Sequence, residues 1–162
     1  PLLAAKPENY QSENWLLDPS IYWAQNGRFE WSQLRAFEDR EPLWLEDSSS
    51  TYHGLRNRVE ADVALSIRDS LRLIHVTDLT LRVFAPGQKF ENPKRSIQAS
   101  FTHLGTQYRL SVTDPVIERR YLAGPDGKYP LGDAYLTVSL GEPYDGYVYK
   151  LVAAVIVQSN SS

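Results

Sequence analysis

The chain has 162 residues, a formal net charge of −3, 42 % hydrophobic residues and 23 % charged residues. That length holds one ordinary domain or two small ones, and that balance belongs to a globular chain rather than a disordered one. There is no cysteine, which excludes disulfides and thiolate metal sites. The longest apolar run, residues 151–157, falls far short of the roughly 20 residues a membrane helix needs.

No secretory leader pattern follows the first charge, Lys6, so a cytoplasmic location is the simplest expectation. The chain starts at Pro1 and contains no Met, which points to a processed, trimmed or fragmentary chain. Its halves differ in charge. Residues 1–70 carry 7 Lys and Arg against 12 Asp and Glu, and residues 71–162 carry 10 against 8. Polyanions are held by clustered cations rather than by total charge, so the second half is where nucleic acid would bind.

The first 70 residues read as helical and irregular. In "LLDPSIYWAQNG", Asp18 is an N-cap, Pro19 takes the first helical position and Gly27 ends the turn. "FEWSQLRAFED" spaces Trp31, Leu34 and Phe37 as a short amphipathic helix. "EPLWLEDSSSTYHGLRNRV" has no stable period and reads as loop, with a short extended piece at 43–45. "EADVALSIRDS" adds one helical turn.

From residue 71 the pattern alternates. "LRLIHV" and "LTLRVFA" form one long or bent strand interrupted at Thr77 and Asp78. "RSIQASFTH" turns Ile97, Ala99 and Phe101 inward, with Ser96, Gln98, Ser100 and Thr102 outward. "LG" at 104–105 is a hairpin turn, and "QYRLSVT" places Tyr108, Leu110 and Val112 inward with Arg109, Ser111 and Thr113 outward. "TDPVIERRYL" starts a short helix over 115–122, capped by Asp114, with Glu118 in the first turn. "GPDGKYPLGD" reads chiefly as turn, and "AYLTVSL" and "YVYKLVAAVIV" are the last strands, joined by "GEPYDG". The expected core is Ile97, Phe101, Tyr108, Leu110, Leu136, Val138, Leu151 and Val155.

Five strands with a helix between the third and fourth is the order of an OB-fold, a Greek-key barrel; an SH3-like barrel or a sandwich is the runner-up. The expected class is therefore mainly β: an OB-like barrel over residues 71–158 and an accessory helical and irregular layer over residues 1–70. The segments "ENWLLDPSIYW", "STYHGLRNRV", "LRLIHVTDLTLRVF", "VTDPVIERRYL" and "SLGEPYDGYVYKLVAAVI" together resemble bacterial dual OB domain-containing proteins. The resemblance implies two OB-like units and a nucleic-acid-binding role in prokaryotic defence or conflict systems. It also implies further N-terminal strands of a first unit, so that residues 1–70 would be the remnant of that unit.

On an OB barrel the loop between the first two strands grips oligonucleotides. Here that loop is "APGQKFENPKR", in which Lys89, Lys94 and Arg95 would neutralise phosphates while Phe90 stacks on a base; the opposing reading is a solvated loop with Phe90 tucked onto the barrel. Arg109 on the strand face and Arg119 and Arg120 on the helix are further phosphate candidates, and Tyr144 in "GEPYDG" sits beside the repelling Glu142 and Asp145. "SSSTYHGLRNRV" combines Ser50, Thr51, His53, Arg56 and Arg58 as an anion nest or a structural loop, and lacks the Gly-Lys-Ser/Thr of a Walker motif.

No catalytic signature is present: His53, His75 and His103 are scattered, and Asp114, Asp126 and Asp133 could hold a nuclease magnesium ion only in principle, the stretch around Asp126 and Asp133 being chiefly turn chemistry. The expectation is a non-catalytic module without metal or cofactor, binding single-stranded DNA or RNA. The alternative is a protein-interaction or small-ligand sensor module beside an effector protein.

Overall fold

The computed structural model describes residues 6–7, 15–16, 19–20, 22, 24–46, 48–87 and 94–158. Two short strands, β1 (Lys6–Pro7) and β2 (Trp15–Leu16), pair with each other. Asp18 lies outside the described residues, but residues 19–20, 22 and 24–27 are described and form a turn followed by irregular chain, not the helix expected after Asp18. A 3-10 helix spans Trp31–Phe37 where the amphipathic helix is expected. Then come β3 (Ser48–Ser49), β4 (Arg58–Glu60) and the single turn α1 (Ala61–Ala64). The expected extended piece at 43–45 is instead bent: Trp44 has φ 45°, which sends Leu43 fully into the core.

The remaining elements are β5 (Leu71–Phe84), β6 (Ser96–His103), β7 (Thr106–Val112), α2 (Pro115–Tyr121), β8 (Gly127–Tyr144) and β9 (Tyr147–Val157). The sheet runs β3-β4-β9-β7-β6-β5-β8, and β8 pairs back onto β9. This closes a five-stranded barrel with the OB order, the helix standing between the third and fourth barrel strands. The β7–β9 pairing is parallel and short, Ser111 opposite Leu151 and Val112 opposite Val152.

The bend in the first barrel strand has a register cause. Ile74 and Val76 point inward at even positions, Leu79, Leu81 and Val83 at odd ones. A two-residue period changes parity only if a residue is added, and the β5–β8 register shifts between Val76 and Leu79. Thr77 and Asp78 bulge outward there, and the Asp78 carboxylate accepts from the Thr102 amide at 2.9 Å.

The last strand holds the main correction to the expected core. Val148, Lys150 and Val152 are the inward residues, so Leu151 points to the other side and is only partly buried. A second register shift, between Thr137/Ala154 and Val138/Val152, restores the odd parity and brings Val155 against the core. The other six expected core residues are buried. Strand β8 is also longer than expected. The segment 127–132, rich in glycine and proline, pairs with residues 79–83 of β5 at the barrel edge instead of forming a turn. "GEPY" is likewise strand, leaving Asp145 and Gly146, both with positive φ, as the hairpin turn.

Asp114 closes the helix and the barrel together. One carboxylate oxygen accepts from the Val116 and Ile117 amides at 2.8 and 3.3 Å, and the other accepts from the Val155 amide of β9 at 2.9 Å. The helix cap is thus also a cross-strand link. Replacing Asp114 by Ala removes the cap and strands a β9 amide, with an expected loss of about 2–4 kcal/mol in a urea unfolding titration.

Lys150 is the one buried cation among the described residues, 1 % exposed. Its ammonium donates to Ser48 Oγ at 2.9 Å and lies 5.6 Å from the centre of the Tyr108 ring. Loss of hydration, with the Arg56 charge nearby, lowers its pKa to about 7. Unfolded lysine keeps its proton up to about pH 10.4, so wild-type stability should rise as pH climbs from about 7 towards 10 and stay flat below that window. Lys150→Met should therefore melt higher at neutral pH, by about 1–4 kcal/mol, and this advantage should shrink steadily as pH approaches 10.

Candidate nucleic-acid interface

The outward face of β5, β6 and β7 carries short polar side chains and arginines in register. Thr80 lies opposite Ser100, and Ser100 opposite Arg109. Farther along β5, Arg82 lies opposite Lys128 of β8. These residues, with Asp78, line a concave surface of about 460 Å³. Cations placed directly opposite on neighbouring strands repel. Among the described residues neither Arg82, Lys128 nor Arg109 makes an ion pair. The one carboxylate in the groove, Asp78, is already accepting a backbone amide. The groove is therefore positively charged and rich in hydrogen-bonding groups, as a polyanion-binding surface must be.

One wall of this face is the loop at residues 50–57. Thr51 and Asn57 lock it from inside: the Thr51 amide donates to Asn57 Oδ1, Asn57 Nδ2 donates to Thr51 Oγ1, and the Gly54 amide donates to Thr51 Oγ1, all at 3.0 Å. Gly54 must be glycine, because a Cβ there would meet the Asn57 side chain at 2.2 Å. Leu55 and Arg109 exchange backbone hydrogen bonds at 3.1 Å in both directions, and Gln98 Nε2 donates to the His53 carbonyl at 2.9 Å. These contacts cover Gln98, so this residue, expected to face outward, is buried. The loop brings Tyr52 and His53 beside Phe84 and the end of the groove.

The family model for the dual OB-containing domain matches residues 1–155. The chain belongs to this dual OB-containing domain family. No curated protein and no solved structure matches it. OB folds commonly bind nucleic acids, and they are generally binding modules rather than enzymes. No helix among the described residues is long and apolar enough to cross a membrane.

Within this family fold the sequence candidates separate. Lys89 and Phe90 lie outside the described residues. Lys94 is exposed. Arg95 is committed to structure: its guanidinium donates to Asp126 at 2.7 Å, to the Leu122 carbonyl at 2.7 Å and to the Gly124 carbonyl at 2.6 Å. It fastens the turn after α2. Arg109 is in the groove, whereas Arg119 and Arg120 are exposed on α2, with Arg120 over the Tyr121 ring. Tyr144 is 73 % exposed beside the β8–β9 turn and does not line the groove.

In the serine-rich loop, the hydroxyls expected to hold an anion are used internally. Ser50 Oγ accepts from the Arg56 amide at 2.8 Å and Thr51 Oγ1 holds Gly54 and Asn57. Arg58 donates to Ser49 Oγ at 3.0 Å and covers the Tyr147 ring at 3.7 Å. Within this loop Leu55 lines the groove, and His53 lies with Tyr52 beside Phe84.

The three candidate magnesium carboxylates stand apart with separate partners. Asp114 caps α2, Asp126 pairs with Arg95, and Asp133 pairs with His75 at 2.5 Å. His103 is buried against the Glu41 carbonyl.

Arg82, Lys128, Tyr52 and Phe84 were not among the sequence candidates. Alternation after the bulge would have placed Arg82 and Phe84 outward, whereas Lys128 was hidden in a segment whose glycines and proline read as turn. Asn57→Ala should leave the barrel folded but loosen the wall. Amide exchange at Thr51 and Gly54 is expected to speed up roughly tenfold with β6 and β7 unchanged, measured by hydrogen exchange.

Proposed function

We propose that this chain is a non-catalytic OB module that binds single-stranded nucleic acid, DNA or RNA, along the outward face of β5, β6 and β7. One observation carries the reading: Arg82 and Lys128 face each other across two strands, with Arg109 in the same groove, and none has a carboxylate partner among the described residues. Such a cluster is stabilised by an anion, and the polar row Thr80, Ser100 and Arg109 supplies donors along a strand backbone. The family fold supports the ligand class. In this reading residues 71–158 are the binding barrel and residues 1–70 an accessory layer. The module acts in the cytoplasm, and its setting in a prokaryotic defence or conflict system rests on the family resemblance alone.

A second reading has its own observation. Phe29 and Phe37 pack edge to face with ring centres 5.3 Å apart while remaining 68 % and 57 % exposed, a surface suited to an effector protein. Salt separates the two readings. Affinity for a single-stranded oligonucleotide, read by fluorescence anisotropy, should fall linearly with log salt, by about 0.7 log units per phosphate contact. Replacing both Arg82 and Lys128 by Ala should reduce that slope by about 1.4. No binding at low salt, or binding indifferent to salt, would turn the assignment to the protein-interaction surface.

A further inference from the structure

Beyond the cationic groove lies a second hollow, of about 990 Å³, lined by Tyr52, His53, Phe84 and Pro86 and sharing Arg82 and Lys128 with the groove. Its rings form a connected row. Tyr52 meets His53 edge to face at 4.7 Å, His53 meets Phe84 at 5.4 Å, and the Arg82 guanidinium lies 4.6 Å from the Phe84 ring centre. Tyr52 ends this row 92 % exposed, on a loop fixed by internal hydrogen bonds and by Gln98 below it.

We infer that this hollow is a nucleobase site, in which the residue 50–57 loop stacks one unpaired base of a single strand against Tyr52 while Arg82 and Lys128 hold the adjoining phosphates. The inference rests on the nucleic-acid reading above and adds the base as the recognised group. Three properties favour this occupant. A large exposed ring held on a rigid loop loses little conformational freedom on stacking. A base is a flat ring that fits a row of rings, and every base has a stacking face. The cations sit where the hollow meets the groove, so a backbone running along β5 would pass them while a base turned aside. The loop lies outside the five barrel strands and comes from the N-terminal layer, which gives that layer a part in recognition.

The test compares short oligothymidylate and oligouridylate with an abasic strand of equal length and charge, on the full chain. The wild type should bind the strands with bases at least tenfold more tightly than the abasic one. Tyr52→Ala should lose about tenfold towards the strands with bases, lose nothing towards the abasic strand, and keep the salt slope; Tyr52→Phe should restore wild-type affinity. Tyr52 is nearly fully exposed, so its replacement leaves the barrel intact. Equal, salt-dependent affinity for abasic and base-bearing strands would overturn the nucleobase site and leave the cationic groove standing. So would an unchanged Tyr52→Ala affinity. Binding of no strand at low salt would overturn both.

Discussion

The barrel depends on one seam, where β7 meets β9. Only two residue pairs join these strands directly, and the ladder ends at the Thr113 amide, which donates to the Val152 carbonyl at 2.9 Å. A parallel pairing this short is weak on its own. Asp114 extends it, because its carboxylate takes the Val155 amide from β9 while capping the helix that begins at Pro115. Ile117 of that helix is buried in the core. A single side chain therefore sets the position of the helix, satisfies a strand amide and completes closure.

The groove is built on that closed barrel but its wall comes from elsewhere. The loop at 50–57 docks through the Leu55–Arg109 exchange and the Gln98 contact, while Lys150 reaches from the last strand to Ser48 at the loop's entrance. Lys150 is a costly way to tie down a loop, since a buried ammonium keeps only part of its hydration energy. Its backbone amide also donates to the Asn57 carbonyl at 2.9 Å, so side chain and main chain of one residue hold both ends of the same segment. The wall thus shares its stability with the barrel, and the aromatic row it carries is presented without folding on contact.

Arginine placement shows how context decides role. Arg95, Arg72 and Arg82 all belong to or adjoin barrel strands. Arg72 meets Asp39, Glu41 and Asp69 and secures the N-terminal layer, and Arg95 meets Asp126 and two carbonyls at the end of α2. Arg82 faces Lys128 instead. The first two are paired with groups of the protein, although Arg72 Nε stays buried without a partner, and the third is left to the solvent side, a distinction that depends on which carboxylates and carbonyls converge after folding.

The sequence by itself determined the barrel strands, their order and the helix between the third and fourth, because alternation of apolar and polar residues has a period of two and Asp-Pro begins a helix by local geometry. It also marked the interruption at Thr77 and Asp78 and the hairpin at Leu104 and Gly105, both short-range features. Only the tertiary structure decided the inward side of β9, where a bulge at Ala153 changes parity and a lysine takes a core position under the N-terminal loop. It alone turned 127–132 into strand, because pairing with β5 outweighed the local turn preference of its glycines and proline. It alone assembled the groove and the hollow beside it: Tyr52, Arg82 and Lys128, 30 to 76 positions apart in the chain, meet only because β5 pairs with β8 and the N-terminal loop folds back on β6 and β7. Local patterns carry strand periodicity, but contacts between distant segments have no local signature, and the candidate site is made of such contacts.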